Sequence, residues 1–263
     1  MAVSGRKIDG TIVRHCRDEF GEIIVADDGV IRSLYFEDVL QSCIRLDQPA
    51  HLIHEYNQAM ISSLIFKGEP RSVLLIGLGG CSLANFLLTA FPSCAIDVVE
   101  IRENVIDLAR GYFLLRTEKA NLTIFHAAGQ VFIRQNKEGC GIYDIILVDA
   151  FDEGGPAASL LENDFLLACR ERLAEGGVFV INLWRRPKDN FPAHYAAIRE
   201  AFGNNAMKLD VSELCWNTIV FGFADPTPVA DLNARKPAAR TLQQKHGINF
   251  PKYLKSLYWQ NFC

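Results

Sequence analysis

The sequence predicts an α/β protein whose main body is a doubly wound, mostly parallel sheet of seven strands, preceded by a small antiparallel β subdomain. Three observations support this prediction. From Arg71 onward, strand-like and helical segments alternate regularly, as they do where helices cover both faces of a parallel sheet. The last two strand-like segments, 206–211 and 217–224, are too close for a crossover helix and therefore pair antiparallel. Several short strand-like segments separated by turn residues precede this region.

The chain divides into three predicted parts. These are the small β subdomain (residues 1–47), the main domain (48–224) and a tail (225–263). The predicted strands of the small subdomain are 22–26, 30–36 and 41–46. Asp27-Asp28-Gly29 separates the first two of them and is a hairpin turn signal. An apolar residue at every fourth position then predicts a helix over 48–66. The tail is proline-rich, then basic, then aromatic, and we expect it to pack on the body or on a partner subunit.

The main domain alternates strands with helices along its whole length. Its predicted strands are 72–78, 95–100, 122–125, 143–150, 177–184, 206–211 and 217–224. The predicted helices are 82–91, 104–113, 130–135, 163–173 and 193–202. In a sheet of this type, ligands bind at the carboxyl ends of the parallel strands, so the residues that follow each strand are the candidates for a functional site.

Composition excludes several functional classes. The net charge of −4, without blocks of like charge, gives no reason to expect a nucleic-acid partner. None of the eight cysteines forms a C-x-x-C pair, and no histidine has ligand spacing, so we expect no metal site. No window approaches 18 uninterrupted apolar residues, and the first ten residues lack the apolar stretch of a secretory signal. We therefore expect a reduced, cytoplasmic protein without a membrane partner.

A glycine-rich turn after the first main strand predicts a nucleotide site. Gly77, Gly79 and Gly80 let the backbone approach a ligand where the next helix begins. Glu100 ends the second strand, where an acid can accept hydrogen bonds from both hydroxyls of a ribose, although a surface charge is the alternative interpretation. Ser82 stands where a dinucleotide fingerprint has glycine. This and the closing antiparallel pair favour a methyltransferase-type sheet that binds an S-adenosylmethionine derivative over one that binds NAD.

Two acids follow the fourth main strand. Asp149 and Asp152 come directly after a run of apolar and β-branched residues, and a Gly-Gly-Pro turn follows them. A pair of carboxylates at this edge suits a substrate that is a cation, or an amine that must lose a proton. The alternative is that Asp149 caps the next helix and that Asp152 lies in a solvated loop.

On these motifs the chain resembles the polyamine aminopropyltransferase family, the spermidine synthases, and especially their shorter bacterial relatives. The resemblance covers about residues 21–224. It rests on V-L-L-I-G-L-G-G-x-S-L-A from Val73, V-V-E from Val98, Y-D-I-I-L-V-D-A-F-D-x-x-G-P-A from Tyr143, and L-A-E-G-G-V-F-V-I-N-L-W from Leu173. The third motif is the discriminating one, since the fourth occurs in many methyltransferase folds.

The resemblance implies an enzyme that moves an aminopropyl group from decarboxylated S-adenosylmethionine to putrescine or a related amine and releases methylthioadenosine. It implies no prosthetic group, and we expect a homodimer. Asp149 matches the family's base and Asp152 its amine-binding acid. The other matches are the glycine loop at Gly77 and Gly79, the ribose acid Glu100, the adenine-lining Pro156, the donor contact Gln41 and the active-site tyrosine Tyr56.

Five positions depart from the family pattern. Gly80 stands where the family has an aspartate for the donor's amino group, and Ala128 replaces the acid that reads the adenine. Asn57 and Gln58 stand for the histidine and glutamate of a Y-H-E segment, and Arg102 stands where an acid is usual. The loss of one hydrogen bond to a charged group costs about 1.5–3 kcal/mol. These departures leave two alternatives open, a methyltransferase that uses intact S-adenosylmethionine and a non-catalytic member of the fold.

Overall fold

The structure is a computed structural model, and it describes residues 8–116, 118–119, 121–135, 142–152, 155–186, 189–212, 216–225 and 232–262. The side chains of Asp152, Gly155 and Pro156 lie outside the described part. Within the described residues, no helix is both long enough and apolar enough to cross a bilayer.

The amino-terminal part is a four-stranded antiparallel meander. Its strands are β1 (Thr11–Asp18), β2 (Gly21–Asp27), β3 (Ile31–Phe36) and β4 (Val39–Arg45), paired in that order. The sequence predicted the last three strands and missed β1. The reason is that β1 is an edge strand whose residues are largely exposed, so its sequence does not alternate between apolar and polar residues.

The main sheet has seven strands, as predicted. Its order is β12-β13-β11-β8-β5-β6-β7, in which β11, β8, β5, β6 and β7 run parallel and β13 pairs antiparallel with both neighbours. The two-residue strands β9 and β10 form a separate hairpin. The bounds are β5 (Ser72–Ile76), β6 (Ala95–Glu100), β7 (Leu122–His126), β8 (Tyr143–Val148), β9 (Phe151–Asp152), β10 (Gly155–Pro156), β11 (Leu173–Trp184), β12 (Ala206–Asp210) and β13 (Asn217–Phe223). The predicted fold class is therefore confirmed.

The α-helices are α1 (Glu55–Ile61), α2 (Ser82–Ala90), α3 (Glu103–Gly111), α4 (Gly129–Arg134), α5 (Asn163–Glu171), α6 (Phe191–Ala201), α7 (Lys236–His246) and α8 (Phe250–Phe262). The predicted helix over 48–66 is wrong in its extent. The helix begins only at Glu55, and at its other end the Ser62 hydroxyl donates to the Ala59 carbonyl. The chain continues from α1 as a short 3-10 helix, Ser62–Ile65.

Hydrophobic side chains pack on both faces of the main sheet. Alternate residues of β8 point to opposite faces, Ile145 and Leu147 into one core and Ile146 and Val148 into the other. This explains why β8 reads as an unbroken apolar run rather than an alternating one. The inner face of the small sheet joins the first of these cores, so β4 is held close to the main sheet.

The tail packs on the body of the same chain. Phe250, Tyr253 and Leu257 of α8 are buried in the core shared with the main sheet. The side-chain amides of Gln260 and Asn261 bind the backbone of the edge strand β12, where the Lys208 N–H donates to Asn261 Oδ1 at 3.0 Å. These amides satisfy backbone groups that an edge strand otherwise leaves open. The division into three parts at residues 47 and 224 stays a prediction.

Candidate active site

A cleft of about 1050 Å³ lies at the carboxyl ends of the main-sheet strands, where they face β4 and α1. This is at the upper end of the volumes found for small-molecule sites. Six of the predicted site residues line the cleft, and these are Gln41, Tyr56, Gly77, Gly79, Glu100 and Asp149. Asp152 and Pro156 were also predicted for the site. Their side chains lie outside the described residues, so their contacts with the amine and the adenine stay predictions.

Gly77 brings the glycine turn against the chain at Asp149. Its φ of +94° is a conformation that favours glycine, and a Cβ there would overlap the carbonyl oxygen of Asp149. The Gly77 N–H donates to the Val99 carbonyl at 2.8 Å, and the Asp149 N–H donates to the Ile76 carbonyl at 2.9 Å. The turn is therefore fixed to both neighbouring strands, which sets the position of Asp149 relative to the glycine turn.

Gly80 departs from the family pattern for a steric reason. Its N–H donates to Ser42 Oγ of β4 at 2.5 Å. A Cβ on Gly80 would overlap that oxygen and lie 3.1 Å from the ring of Phe113. A second bond, from Ser82 Oγ to the Cys43 carbonyl at 2.9 Å, joins the same two segments. The small sheet thus occupies the space that an aspartate side chain would need. No motif along the chain singles out Ser42.

Glu100 is a buried acid and not a surface charge. It is 7% exposed, and its two carboxylate oxygens accept hydrogen bonds of 2.9 Å from the N–H groups of Leu78 and Arg102. Burial raises the pKa of Glu100, and these backbone donors oppose the shift. A carboxylate oxygen can accept more than one hydrogen bond, so both remain able to accept bonds from a ligand's hydroxyl groups.

Arg102 holds the small sheet to the main domain. Its guanidinium is 5% exposed and binds both carboxylate oxygens of Asp18 in β1, at 2.6 and 3.0 Å. It also donates to the Gly21 carbonyl and lies 4.3 Å from the ring centre of Phe36. Burial opposes the ionisation of Asp18, yet the Arg102 hydrogen bonds keep its pKa below the ordinary value. Arg102 is therefore paired within the protein and does not offer its charge to a substrate.

Asp149 lies where β8 ends and faces the cleft. Burial raises its pKa to about 6, and a hydrogen bond from Asn182 Nδ2 to Asp149 Oδ1, 2.9 Å long, opposes the rise. Asn182 in turn accepts a 3.0 Å bond from Asn217 Nδ2. No helix begins at Asp149, so the capping alternative is wrong. The sequence did not single out Asn182, although it lies in the V-I-N-L-W segment of β11.

Tyr56 and Gln41 meet on the opposite wall. The Tyr56 hydroxyl donates to the Gln41 carbonyl at 3.4 Å, and its ring stacks on His54 with 5.5 Å between centres. Burial, and then the charge of Asp149, raise the pKa of Tyr56, so its phenol stays protonated. Gln58, in contrast, donates to the Leu52 carbonyl, away from the cleft. This wall of the cleft thus places one phenol and one glutamine opposite the carboxyl group of Asp149.

Comparison with known proteins adds an independent observation. Residues 54–187 match the family described as the spermine/spermidine synthase domain. The polyamine aminopropyltransferase of Neisseria meningitidis serogroup A is 30% identical over 251 residues, which cover 95% of this chain and 94% of that protein. A solved spermidine synthase in complex with the transition-state analogue AdoDATO has a TM-score of 0.72 at 19% identity and covers 96% of this chain and 86% of its own. Putrescine N-methyltransferase 1 of Nicotiana tabacum is 36% identical over 114 residues, 42% of this chain and 30% of that protein.

Proposed function

Because this chain belongs to the spermine/spermidine synthase family, we propose that it transfers an aminopropyl group from decarboxylated S-adenosylmethionine to putrescine or a related amine. Methylthioadenosine is the second product. The observation that carries the proposal is the carboxyl group of Asp149, which faces the cleft with a pKa of about 6. Glu100 supports it, because its carboxylate lines the cleft where a ribose would follow the glycine turn.

The proposed reaction is a direct displacement. The carbon beside the donor's sulfonium is already activated, because its leaving group is a neutral thioether. The acceptor nitrogen attacks this carbon as the carbon–sulfur bond breaks, and the electron pair of that bond stays on sulfur. The nitrogen must be uncharged to attack, although a free alkylammonium has a pKa of about 10. The ionised carboxylate of Asp149 takes its proton.

The environment of Asp149 suits this role. A pKa of about 6 leaves the group ionised at neutral pH, yet it is more basic than an exposed aspartate, whose pKa is about 3.9. Asn182 binds Oδ1 and thereby fixes the orientation of the carboxylate. The other oxygen, Oδ2, is left for the attacking amine. Orientation of this kind accounts for several kcal/mol of such a barrier, on the order of 7–11 at best.

The donor end of the cleft is proposed to hold the nucleoside. Glu100 accepts from the ribose hydroxyls, Gly77 and Gly79 allow the backbone to approach the donor, and Gln41 contacts its aminopropyl chain. Gly80 supplies no carboxylate for the donor's amino group. Asp152 is the proposed second acid for the acceptor amine, and Pro156 the adenine contact. No prosthetic group takes part in this chemistry.

A methyltransferase that uses intact S-adenosylmethionine is the second candidate. The similarity to a putrescine N-methyltransferase favours it, because that protein's name pairs the same amine with a methyl donor. The absence of an acid at Gly80 is consistent with it as well. Without that acid, the site loses its preference for the decarboxylated donor, which has an amino group but no carboxylate. Arg102 does not support it, because its charge is already paired with Asp18.

The test is to incubate the purified protein with decarboxylated S-adenosylmethionine and a panel of diamines, and to follow methylthioadenosine by mass spectrometry. Amine-dependent release of methylthioadenosine supports the proposal, and the product mass identifies the acceptor. Parallel reactions with intact S-adenosylmethionine address the second candidate. S-adenosylhomocysteine together with an N-methylated amine would replace the first proposal with the second. No turnover of either donor, beside an active synthase, would favour a non-catalytic protein.

We further propose a cytoplasmic homodimer. The outer edge of β1 supports the dimer, because it has no partner strand among the described residues and exposes Ile12 and Val13. An open strand edge of this kind pairs readily with another chain. Sedimentation velocity gives the mass directly, and a monomer at micromolar concentration would contradict the dimer.

A further inference from the structure

A second cavity, of about 480 Å³, lies between the two helices of the tail. None of the residues that line it also lines the candidate active site. Its floor is apolar, with Leu232, Ala239 and Leu254 buried beneath it. Its rim carries the cations Lys236 and Arg240 of α7 and Lys255 of α8, together with the aromatic rings of Tyr258 and Trp259. We call this cavity the tail groove.

The charge of this region is opposite to that of the whole chain. Between Leu232 and Phe262 the sequence has six lysines and arginines and no aspartate or glutamate, whereas the chain has a net charge of −4. Lys245 and Lys252 pair with Glu69 and Glu55 of the body. Among the described residues, the three cations of the tail groove form no such ion pair. The unpaired positive charge of the tail is therefore concentrated at the groove.

The aromatic residues of the groove are unusually open to solvent. Trp259 is 58% exposed and Tyr258 is 40% exposed, and their rings meet edge to face. Trp259 lies one helical turn after Lys255, on the same face of α8, and Lys236 and Arg240 have the same spacing on α7. The groove thus presents cations along both walls and a stacking surface at one end.

From this combination we propose that the tail groove binds a nucleotide, a planar aromatic ring that carries phosphate groups. Phosphate oxygens pair with lysine and arginine, and the ring stacks on the exposed indole or phenol. The volume suits one molecule of this size rather than a macromolecule. A symmetric contact with a second copy is the weaker explanation, because it would bring six cations together and residues 232–262 hold no aspartate or glutamate to lie between them.

The test is isothermal titration calorimetry of the full chain with ATP. We expect the double variant Lys236→Gln, Arg240→Gln to raise the Kd by about tenfold or more, since it removes two charged donors. The matched control is Lys245→Gln, Lys252→Gln, which also removes two positive charges from the tail, one from each helix, but outside the groove. We expect that control to change the Kd by less than about twofold, because the two lysines lie outside the groove. It should also fold, since exposed ion pairs contribute little to stability. Circular dichroism of all variants checks that they fold.

Three outcomes would overturn the proposal. The first is no heat of binding with millimolar ATP. The second is binding that both double variants change equally, which would place the nucleotide in the active-site cleft or would reflect overall charge. The third is that a ten-nucleotide single-stranded RNA binds at least tenfold tighter than ATP and that the groove variant abolishes this binding. That result would identify a nucleic-acid surface.

The aromatic part of the proposal has its own measurement. We expect Trp259→Leu to weaken the affinity for ATP several-fold and to leave the affinity for inorganic tripolyphosphate unchanged, because only the nucleotide has a ring to stack. Equal losses for both, or no loss for either, would show that the groove reads phosphate alone and would overturn the nucleotide assignment.

Discussion

The two ends of the active-site cleft hold their acids in different ways. Glu100, at the proposed nucleotide end, receives two hydrogen bonds from backbone N–H groups, which belong to the folded chain and cannot rotate away. Asp149, at the reacting end, receives one bond from a side chain, Asn182, and its pKa rises to about 6. The first acid is held in a fixed orientation, as its proposed contact with ribose hydroxyl groups requires. The second keeps a lone oxygen and a raised affinity for a proton.

This contrast shows how one sheet edge can serve both binding and proton transfer. Burial raises the pKa of both carboxylates. At Glu100 backbone donors oppose the rise because they stabilise the charge, whereas at Asp149 one side-chain donor opposes it.

Replacement of Asp149 by Asn has the largest expected effect. The variant keeps the shape of the side chain but cannot take a proton from the amine. We expect kcat to fall by about a thousandfold, which lies within the range of about 10²–10⁴ that a general base contributes. The assay is amine-dependent release of methylthioadenosine, with Glu100→Gln as the matched control, for which we expect mainly a higher KM for the donor. Full activity of Asp149→Asn would remove the proposed base.

The same variant has a stability readout that does not depend on activity. The folded-state pKa of Asp149, about 6, is above the unfolded value of about 3.9, so its ionisation disfavours the folded state above pH 6 and not below pH 4. We therefore expect Asp149→Asn to raise the free energy of unfolding at pH 8 by on the order of 1–3 kcal/mol, seen as a higher Tm. Near pH 4 we expect Tm to be unchanged. An unchanged Tm at pH 8 would contradict the raised pKa.

Gly77→Ala tests the contact that joins the two ends. We expect a loss of about 3 kcal/mol in the free energy of unfolding, because alanine is strained at φ +94° and its Cβ would overlap the Asp149 carbonyl. Gly29→Ala is the matched control, since Gly29 has φ +90° with no atom within 4 Å of the added carbon. Chemical denaturation of both variants separates the two effects. Equal losses would mean that the contact with Asp149 contributes nothing beyond backbone strain.

The sequence predicted the fold well where hydrophobic patterns and turns were local. The alternation from Arg71 and the short spacing between β12 and β13 were enough to define the main sheet. The sequence could not reveal β1, because a solvent-exposed edge strand has no apolar alternation. It also overextended α1, which begins only at Glu55 and gives way to a 3-10 helix at Ser62, although the apolar spacing continues on both sides.

Site residues were predicted where they belong to a motif along the chain, as Glu100 and Asp149 do. The partners that set their chemistry come from distant segments and have no local signal. Asn182 reaches Asp149 from β11, and Asp18 neutralises Arg102 from β1. Ser42 fills the space beside Gly80 from β4. Such contacts depend on how the small sheet docks on the main one, which the sequence pattern does not specify.

Gly80→Asp tests whether the family's acid can be restored. We expect the single variant to lose about 2 kcal/mol of stability and to gain no donor affinity, because its side chain would collide with Ser42 Oγ and crowd Phe113. The double variant with Ser42→Gly removes that oxygen, and we expect it to recover stability and to bind decarboxylated S-adenosylmethionine more tightly. Thermal unfolding and titration calorimetry measure both. A stable single variant with improved affinity would contradict the steric explanation.

Asn182→Leu has the smallest expected effect and acts on the reacting end alone. Asn182 donates to the ionised form of Asp149, so its removal raises the pKa of that carboxyl above 6. A hydrogen bond to a charged group contributes about 1.5–3 kcal/mol, which corresponds to roughly one to two pKa units. Because the base works only when ionised, we expect the acid limb of the kcat profile to move to higher pH, while the plateau above it falls little. The Asn217→Ala variant, which leaves the Asn182–Asp149 bond in place, should move that limb by less. If neither variant moved the limb, the group that titrates in the profile would not be Asp149.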